Sequence, residues 1–320
     1  MKENSLNIVF MGTPEFAVSV LEGLVCSTHK IVGVVTASDK PAGRGMHLQG
    51  SAVKEYALKN GLSLLQPENL KDSNFIKELK SLNADLFVVV AFRMLPEVIW
   101  SIPPKGTINL HASLLPQYRG AAPINWVLIN GEEKTGVTTF FIDKDIDTGN
   151  VIDQIETEIS ENMTAGDLYE ELVKIGSRQT VKTINRIAEG KINTIKQEEL
   201  IVETLKHAPK IYKCDCEIQW QKLMNQNHNL IRGLSPYPCA WTKMYNLKRQ
   251  EWLNFKIFRS EKSSIKVKNW QNLSSNERGI LIPCLDFYLI VTELQPEGKR
   301  KMYFKEFLAG YKLKDWVLMP

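Results

Sequence analysis

The sequence predicts an α/β domain followed by a small β-barrel. Three observations predict it. A short apolar strand, a glycine and a helical run follow one another over residues 6–24. A continuous apolar run over 85–91 reads as a strand covered on both faces, as in parallel sheets. Beyond residue 211, short aromatic and β-branched runs alternate with turn residues, the pattern of a small barrel. With 320 residues, the chain is long enough for two domains.

Leu6 to Met11 is the first strand. Gly12-Thr13-Pro14-Glu15 follows, and Pro14 suits the first turn of a helix. Phe16, Val20, Leu21 and Leu24 then recur at helical spacing. The dinucleotide pattern G-x-G-x-x-G is absent, since only Gly12 stands there, which argues against a nicotinamide enzyme. Ile31 to Thr36 is a second strand. Ala37 to Gly50 reads as a loop, with Gly43, Gly45, Gly50 and the cations Lys40 and Arg44. It is long for a strand–helix connection, and such loops are functional or disordered. Helices are expected over Ala52 to Leu58 and Asp72 to Leu82, with a strand over Leu62 to Leu65 between them. Asp72 and Lys80 suit the macrodipole of the second helix. Asp85 to Ala91 is the covered strand, and Phe92-Arg93-Met94-Leu95-Pro96 ends it.

Gly106 to Pro123 is the chemically richest stretch. Thr107, Ile108 and Leu110 are strand formers. Asn109 and His111 are two apart, so their side chains share one face of that strand. An amide and an imidazole converging at a strand end could polarise a carbonyl and hold an oxyanion. The competing reading of His111 is a core histidine bonded to backbone. The loop that follows favours chemistry. Pro116 stops the strand, Arg119-Gly120 adds a charge on a turn, and Ala121-Ala122-Pro123 opens a helix through Trp126, Val127 and Leu128. Polar strand ends of this kind are where open α/β sheets bind ligands.

Asn130-Gly131 marks a turn and Thr135 to Ile142 a strand. Asp143, Asp145 and Asp147 then alternate, without the glycine or terminal glutamate of a calcium loop. Val151 to Ile159 is a strand. Thr164 caps a helix with Asp167 in its first turn and Gly190 after its last. The first domain is thus expected over 1–190, a linker over 191–210 and the barrel over 211–320. In the barrel, strands are expected over Trp252 to Phe258, Ile265 to Trp270, Ile280 to Ile282 and Phe287 to Thr292. Sixteen of the 28 aromatic residues lie after residue 190, and most must form its core.

Composition narrows the class. Residues 1–190 carry 18 Lys+Arg against 23 Asp+Glu, a net of −5; residues 191–320 carry 22 against 13, a net of +9. A basic back half suggests that this part meets a polyanion. No apolar run approaches the roughly 20 residues that span a bilayer, and no secretory signal is evident at Met1 to Phe10. Cys214 and Cys216 lack the spacing of a zinc site, and no metal-ligand cluster stands elsewhere. The five cysteines read as reduced thiols of a cytoplasmic protein.

Asn-Leu-His-Ala-Ser-Leu-Leu-Pro at 109–116, followed by Arg-Gly-Ala-Ala-Pro at 119–123, resembles the signature of the folate-dependent formyltransferases. Gly-Thr-Pro-Glu-Phe at 12–16, Glu217-Ile218-Gln219-Trp220 and Ser235-Pro236-Tyr237-Pro238 match further landmarks of that family, so the resemblance covers both domains. Within the family, the chain most resembles the members acting on methionyl-tRNA. The resemblance implies a Rossmann-like catalytic domain and an OB-like barrel. It implies 10-formyltetrahydrofolate as formyl donor, without a metal, and initiator methionyl-tRNA as acceptor, with the protein acting as a monomer.

The resemblance further places Asn109, His111 and Asp147 at the catalytic centre, with Asp143 the nearest rival of Asp147. It places the folate against Val90, Phe92 and Leu95 and against Ser113, Leu114, Leu115 and Pro116. It makes 37–50 the loop that enters the acceptor end of the tRNA, with Arg44 and Lys40 facing RNA. In the expected reaction, Asn109 and a protonated His111 hold the oxyanion, and Asp147 keeps His111 charged and helps move the proton. Formyltransferases acting on sugar-nucleotide amines share the central stretch, but the 41–45 loop and the basic barrel argue for tRNA. The joint presence of Asn109, His111 and Asp147 argues against a non-catalytic RNA-binding protein.

Overall fold

The structure is a computed structural model. It describes residues 5–42, 47–201, 204–268 and 273–318, with backbone only at 40–42 and 47–48. Along the chain, the elements are β1 (Asn7–Gly12), α1 (Glu15–Val25), β2 (Lys30–Val35), β3 (Lys40–Ala42), β4 (His47–Gln49), α2 (Ala52–Lys59) and β5 (Leu64–Leu65). Next come α3 (Ser73–Ser81), β6 (Leu86–Val90), α4 (Glu97–Trp100), β7 (Thr107–His111), β8 (Arg119–Gly120), α5 (Pro123–Ile129), β9 (Lys134–Phe141), β10 (Val151–Glu158) and α6 (Ala165–Ala188). The remainder holds β11 (His207–Ala208), α7 (Met224–Leu234), β12 (Ala240–Asn246), β13 (Glu251–Lys266) and β14 (Ser274–Ser275). It ends with β15 (Ile280–Pro283), β16 (Phe287–Pro296), β17 (Met302–Tyr303), α8 (Phe304–Gly310) and β18 (Trp316–Val317).

The chain divides into two compact units that are not contiguous in sequence. The first holds residues 1–120, 136–157 and 170–207; the second holds 121–135, 158–169 and 208–320. In the first unit a seven-stranded sheet runs β10-β9-β7-β6-β1-β2-β5. β1 pairs in parallel with β2 and β6, and β6 in parallel with β7, whereas β7 and β9 are antiparallel. The chain starts at β1, moves outward to β2 and β5, then returns to the other flank at β6. Such reversals of strand order open a crevice at the carboxyl ends of the strands. Gly12, Val90 and His111 are those ends.

Burial explains why these strands form. All five residues of β6 are buried, as the apolar run 85–91 foretold. Val9, Met11, Phe87 and Val89 form a core with Phe75 and Leu79 of α3 and with Ile99. The Asp72 carboxylate caps α3 by accepting from the backbone N–H groups of Asn74 and Phe75 at 2.9 Å each. Thr164 and Asp167 bond to one another's backbone at the start of α6, a capping box. Gly136 lets β9 approach β10: a Cβ there would lie 2.0 Å from the Ile155 carbonyl oxygen.

One local reading changes. The span 37–50, read as a loop, carries the antiparallel pair β3–β4, with Lys40 opposite Gln49 and Ala42 opposite His47. Backbone pairing of this kind leaves no hydrophobic pattern, so composition alone misses it. Arg44 lies outside the described residues.

The second unit is an antiparallel sheet, β14-β15-β16-β13-β12-β18, with β17 on β16. Its core holds Trp220, Phe255, Ile257, Ile282, Leu289 and Val291. The Phe255 and Trp316 rings meet edge to face at 5.1 Å. Two readings change here. The expected strands at 252–258 and 265–270 belong, as far as 266, to one 16-residue strand, β13. The polar run Glu261 to Ser264 is not a turn; register shifts at Ile257/Arg259, Arg259/Ser260 and Lys262/Lys266 bend the strand instead. The sequence reading also assigned no helix at α7, which buries Met224, Ile231 and Leu234 against the sheet.

His228 of α7 is fully buried. One ring nitrogen meets Ser260 Oγ at 3.0 Å and the other the Glu161 carbonyl at 3.0 Å. Arg232, Lys262 and Glu161 also face it, and burial pulls its pKa down to about 4. The unfolded histidine titrates near 6.5, so the unfolded chain binds the proton first. Stability should therefore be unaffected by this group above pH 6.5 and fall by roughly 3 kcal/mol as pH drops through 6.5 toward 4. Urea unfolding at a series of pH values checks this. His228→Asn should flatten the dependence.

Candidate active site

β7 places Asn109 and His111 on one face, as strand periodicity requires. Val89 and Phe140 flank Asn109 in the sheet, and Thr138 is opposite His111. The Asn109 amide is half-buried and finds no hydrogen-bond partner among the described residues. It is therefore free to donate to an added oxygen.

His111 is 7% exposed. Its Nε2 lies 2.9 Å from the Tyr118 carbonyl oxygen. A carbonyl only accepts, so Nε2 carries the proton and the tautomer is set. Nδ1 points the other way, 3.8 Å from Asp147 Oδ2. At that distance the carboxylate acts on the ring by charge rather than by a direct hydrogen bond. Because Nε2–H is committed, Nδ1 can donate only when the ring is an imidazolium.

Tyr118 reaches His111 because the 113–120 segment folds back on itself. Ser113 Oγ donates to the Gln117 carbonyl at 2.7 Å, and the Leu115–Pro116 bond is cis. Thr138 Oγ1 donates to the Ser113 carbonyl at 2.7 Å and accepts from Leu115 N–H at 3.0 Å. Gln154 Nε2 donates to the Leu115 carbonyl at 2.8 Å. Tyr118 itself has φ +61°, a left-handed backbone uncommon outside glycine.

Asp147 also has a left-handed backbone, φ +57°. Strain of this kind persists where surroundings impose it. Here they do. Gly120 N–H donates to Asp147 Oδ2 at 3.0 Å. Gln197 Nε2 donates to the carbonyls of Asp147 and Gly149, each at 2.9 Å. A Cβ at Gly149 would sit 1.7 Å from the Phe141 carbonyl oxygen, so only glycine lets this loop close. Asp143 faces elsewhere: its Oδ1 accepts from Thr148 Oγ1 at 2.7 Å and from Asp145 N–H at 3.2 Å. The structure thus brings Asp147, not Asp143, to His111.

The expected folate-contacting residues separate by burial. Val90, Leu95, Ser113, Leu115 and Pro116 are buried, and Leu115 packs with Phe140 and Val151. Phe92 and Leu114 are half-buried and keep accessible apolar surface. Arg93 turns outward; Nη1 donates to the Glu68 carbonyl at 2.8 Å and Nη2 to the Pro67 carbonyl. Its guanidinium lies 5.7 Å from the Phe92 ring centre. For Lys40 only the backbone, in β3, is described. Among the described residues, no three His, Cys, Asp or Glu side chains gather as a metal site, and no helix is long and apolar enough to cross a membrane.

Gln197 is the residue that sequence reasoning missed. It is fully buried inside the span read as a linker. Its Oε1 also accepts from Arg119 Nε at 3.0 Å and Nη2 at 2.7 Å. Nothing local marks it, because its partners stand about 50 and 80 residues away in sequence. Gln197→Ala should leave buried carbonyls unpaired and cost roughly 1–3 kcal/mol. Denaturant unfolding checks the loss, and Gln197→Glu should be no better, since a carboxylate cannot donate to those carbonyls.

Comparison with known proteins identifies the family of the chain. Residues 6–184 match the family described as formyl transferase, and residues 210–312 match the formyl transferase C-terminal domain. A methionyl-tRNA formyltransferase of Flavobacterium psychrophilum is 48% identical over 318 residues, covering 98% of this chain and 99% of that protein. One of Bacteroides fragilis is 47% identical over 320 residues, covering 98% of each. Among solved structures, WlaRD, a sugar 3N-formyl transferase in the presence of dTDP and 5-N-formyl-THF, aligns with a TM-score of 0.66 at 22% identity. That alignment covers 92% of this chain and 99% of that one. These matches, which span nearly the whole chain, make it a member of the formyl transferase family.

Proposed function

We propose that the protein transfers the formyl group of 10-formyltetrahydrofolate to the α-amine of initiator methionyl-tRNA, as a monomer in the cytoplasm. The observation that carries the reading is the convergence of His111 and Asp147, on the strand face shared by the Asn109 amide, which has no hydrogen-bond partner among the described residues. The printed names of relatives that align along nearly the whole chain support the acceptor. The formyl-folate named for the sugar formyltransferase supports the class of donor.

The neutral amine attacks the formyl carbon, and the carbonyl electron pair moves onto oxygen. Asn109 Nδ2–H and imidazolium Nδ1–H are the donors available to that oxyanion. Collapse restores the carbonyl and breaks the bond to N10. The amine loses a proton and N10 gains one, so the reaction needs no external acid or base. Asp147 balances the imidazolium charge and passes the proton through water. Val90, Phe92 and Leu95 would line the pterin side of the crevice, and Ser113, Leu114, Leu115 and Pro116 the other wall. The catalytic role falls to residues 1–190 and the RNA-binding role to 211–320, with 191–210 linking them. Arg44 and Lys40, in the 37–50 stretch after β2, would meet the acceptor arm.

His111→Ala should lower the rate constant by about two to four orders of magnitude and leave folate affinity largely intact. Single-turnover kinetics with a separate folate titration would show it, and near-wild-type turnover would sink the assignment. Asp147→Asn should cost far more activity than Asp143→Asn; the reverse order would move the carboxylate role to Asp143. Arg44→Ala should impair formylation of methionyl-tRNA, more strongly at low salt than at high salt, without changing folate affinity. A defect confined to folate would redirect the acceptor assignment toward a small amine.

A further inference from the structure

One outward face of the second unit sets aromatic and cationic residues side by side. β12 and β13 alternate as strands must. Ala240, Thr242 and Met244 point inward with Phe255 and Ile257, and all five are buried. The residues between them point out. In register, Trp241 is opposite Lys256, Lys243 opposite Asn254, and Tyr245 opposite Trp252. On the third strand Gln295 is opposite Lys256. Directly opposed side chains on one face lie about 5 Å apart at Cβ, so aromatic rings and ammonium groups are interleaved across the strands.

A groove of about 760 Å³ opens over this face, and Tyr237, Tyr212 and Lys213 help to line it. Its charged lining residues are Lys213, Lys243 and Lys256 against a single acid, Glu297. Glu297 is occupied, accepting from Asn254 N–H at 3.0 Å and Nδ2 at 2.8 Å. Tyr237 is 83% exposed, yet it stands between Pro236 and Pro238, whose rings fix the backbone on either side. Trp241 is half-buried, packs in part against the core and is anchored by its indole N–H, which donates to the Lys213 carbonyl at 3.0 Å. Lys210 Nζ lies 5.5 Å from the Tyr212 ring centre.

An exposed tyrosine and a half-buried, anchored tryptophan, with cations beside them, suit a chain of stacked bases joined by phosphates. A duplex would satisfy the lysines but leave Tyr237 and Trp241 with no base face to cover them. We propose that this groove takes an unpaired segment of the tRNA, with bases stacking on Tyr237 and Trp241 and phosphates on Lys243 and Lys256. The inference rests on RNA being the substrate and adds which face reads it and in what form.

Steady-state formylation by the full chain tests it, using wild type, Tyr237→Ala, Tyr237→Phe and the double variant Lys243→Gln, Lys256→Gln. Tyr237→Ala should raise KM for methionyl-tRNA about five- to 100-fold with kcat unchanged. Tyr237→Phe, which keeps the ring, should stay near wild type. The lysine variant should raise KM at low salt and lose that difference at high salt. In parallel, a short oligoadenylate should quench tryptophan fluorescence of the wild type, and less so of Trp241→Phe, whereas a hairpin duplex should not compete. Unchanged KM in Tyr237→Ala, with wild type active, overturns the stacking platform alone. Equal competition by the duplex also overturns it, in favour of backbone contact. A wild type inactive on methionyl-tRNA overturns the acceptor reading instead, and the oligoadenylate titration still reports on the groove.

Discussion

The commitment of His111 Nε2–H to the Tyr118 carbonyl is the contact on which the rest of the site depends. A buried imidazole with one nitrogen tied has a single nitrogen left for chemistry. That nitrogen, Nδ1, points to Asp147. Any other tautomer would put a lone pair against the carbonyl and lose the bond. The return of the 113–120 segment, the Thr138 and Gln154 bonds that hold it, and the left-handed residue at Tyr118 all serve this one contact.

The carboxylate is held by a separate set of constraints. Asp147 sits on a loop that closes only over Gly149 and is gripped through its backbone by Gln197. Gly120, two residues beyond Tyr118, supplies the N–H that bonds its Oδ2. One turn therefore fixes both partners: its carbonyl holds the imidazole and its N–H holds the carboxylate. The positions of donor and counter-charge are thus coupled before any substrate arrives, which is the condition for electrostatic preorganisation.

How much of this was legible follows from the range of each interaction. Asn109 and His111 share a face because strand residues two apart always do, so they could be read from a five-residue window. The covered strand at 86–90 and the caps at Asp72 and Thr164 are equally local. Asp147 and Asp143 are alike in composition, and residue pattern alone does not separate them; only resemblance did, until the Gly120 and Thr148 bonds gave each a different partner. Gln197 carries no local mark. The bent strand β13 reads as two in sequence, because a polar run at 261–264 looks like a turn and the bulges that bend it depend on pairing with β16. The charge asymmetry pointed to the back half of the chain, but the face formed by Trp241, Lys243 and Lys256 exists only once the register with β13 is set.

The most direct test of this account is the tautomer of His111. Nitrogen-15 NMR of histidine-labelled protein, at a pH where the ring is neutral, reads it, with His111→Gln assigning the signal among the five histidines. The account predicts a protonated Nε2 and a pyridine-type Nδ1. A proton on Nδ1 of the neutral ring would contradict it, because the nitrogen facing Asp147 would then already be committed and the Tyr118 contact could not set the site.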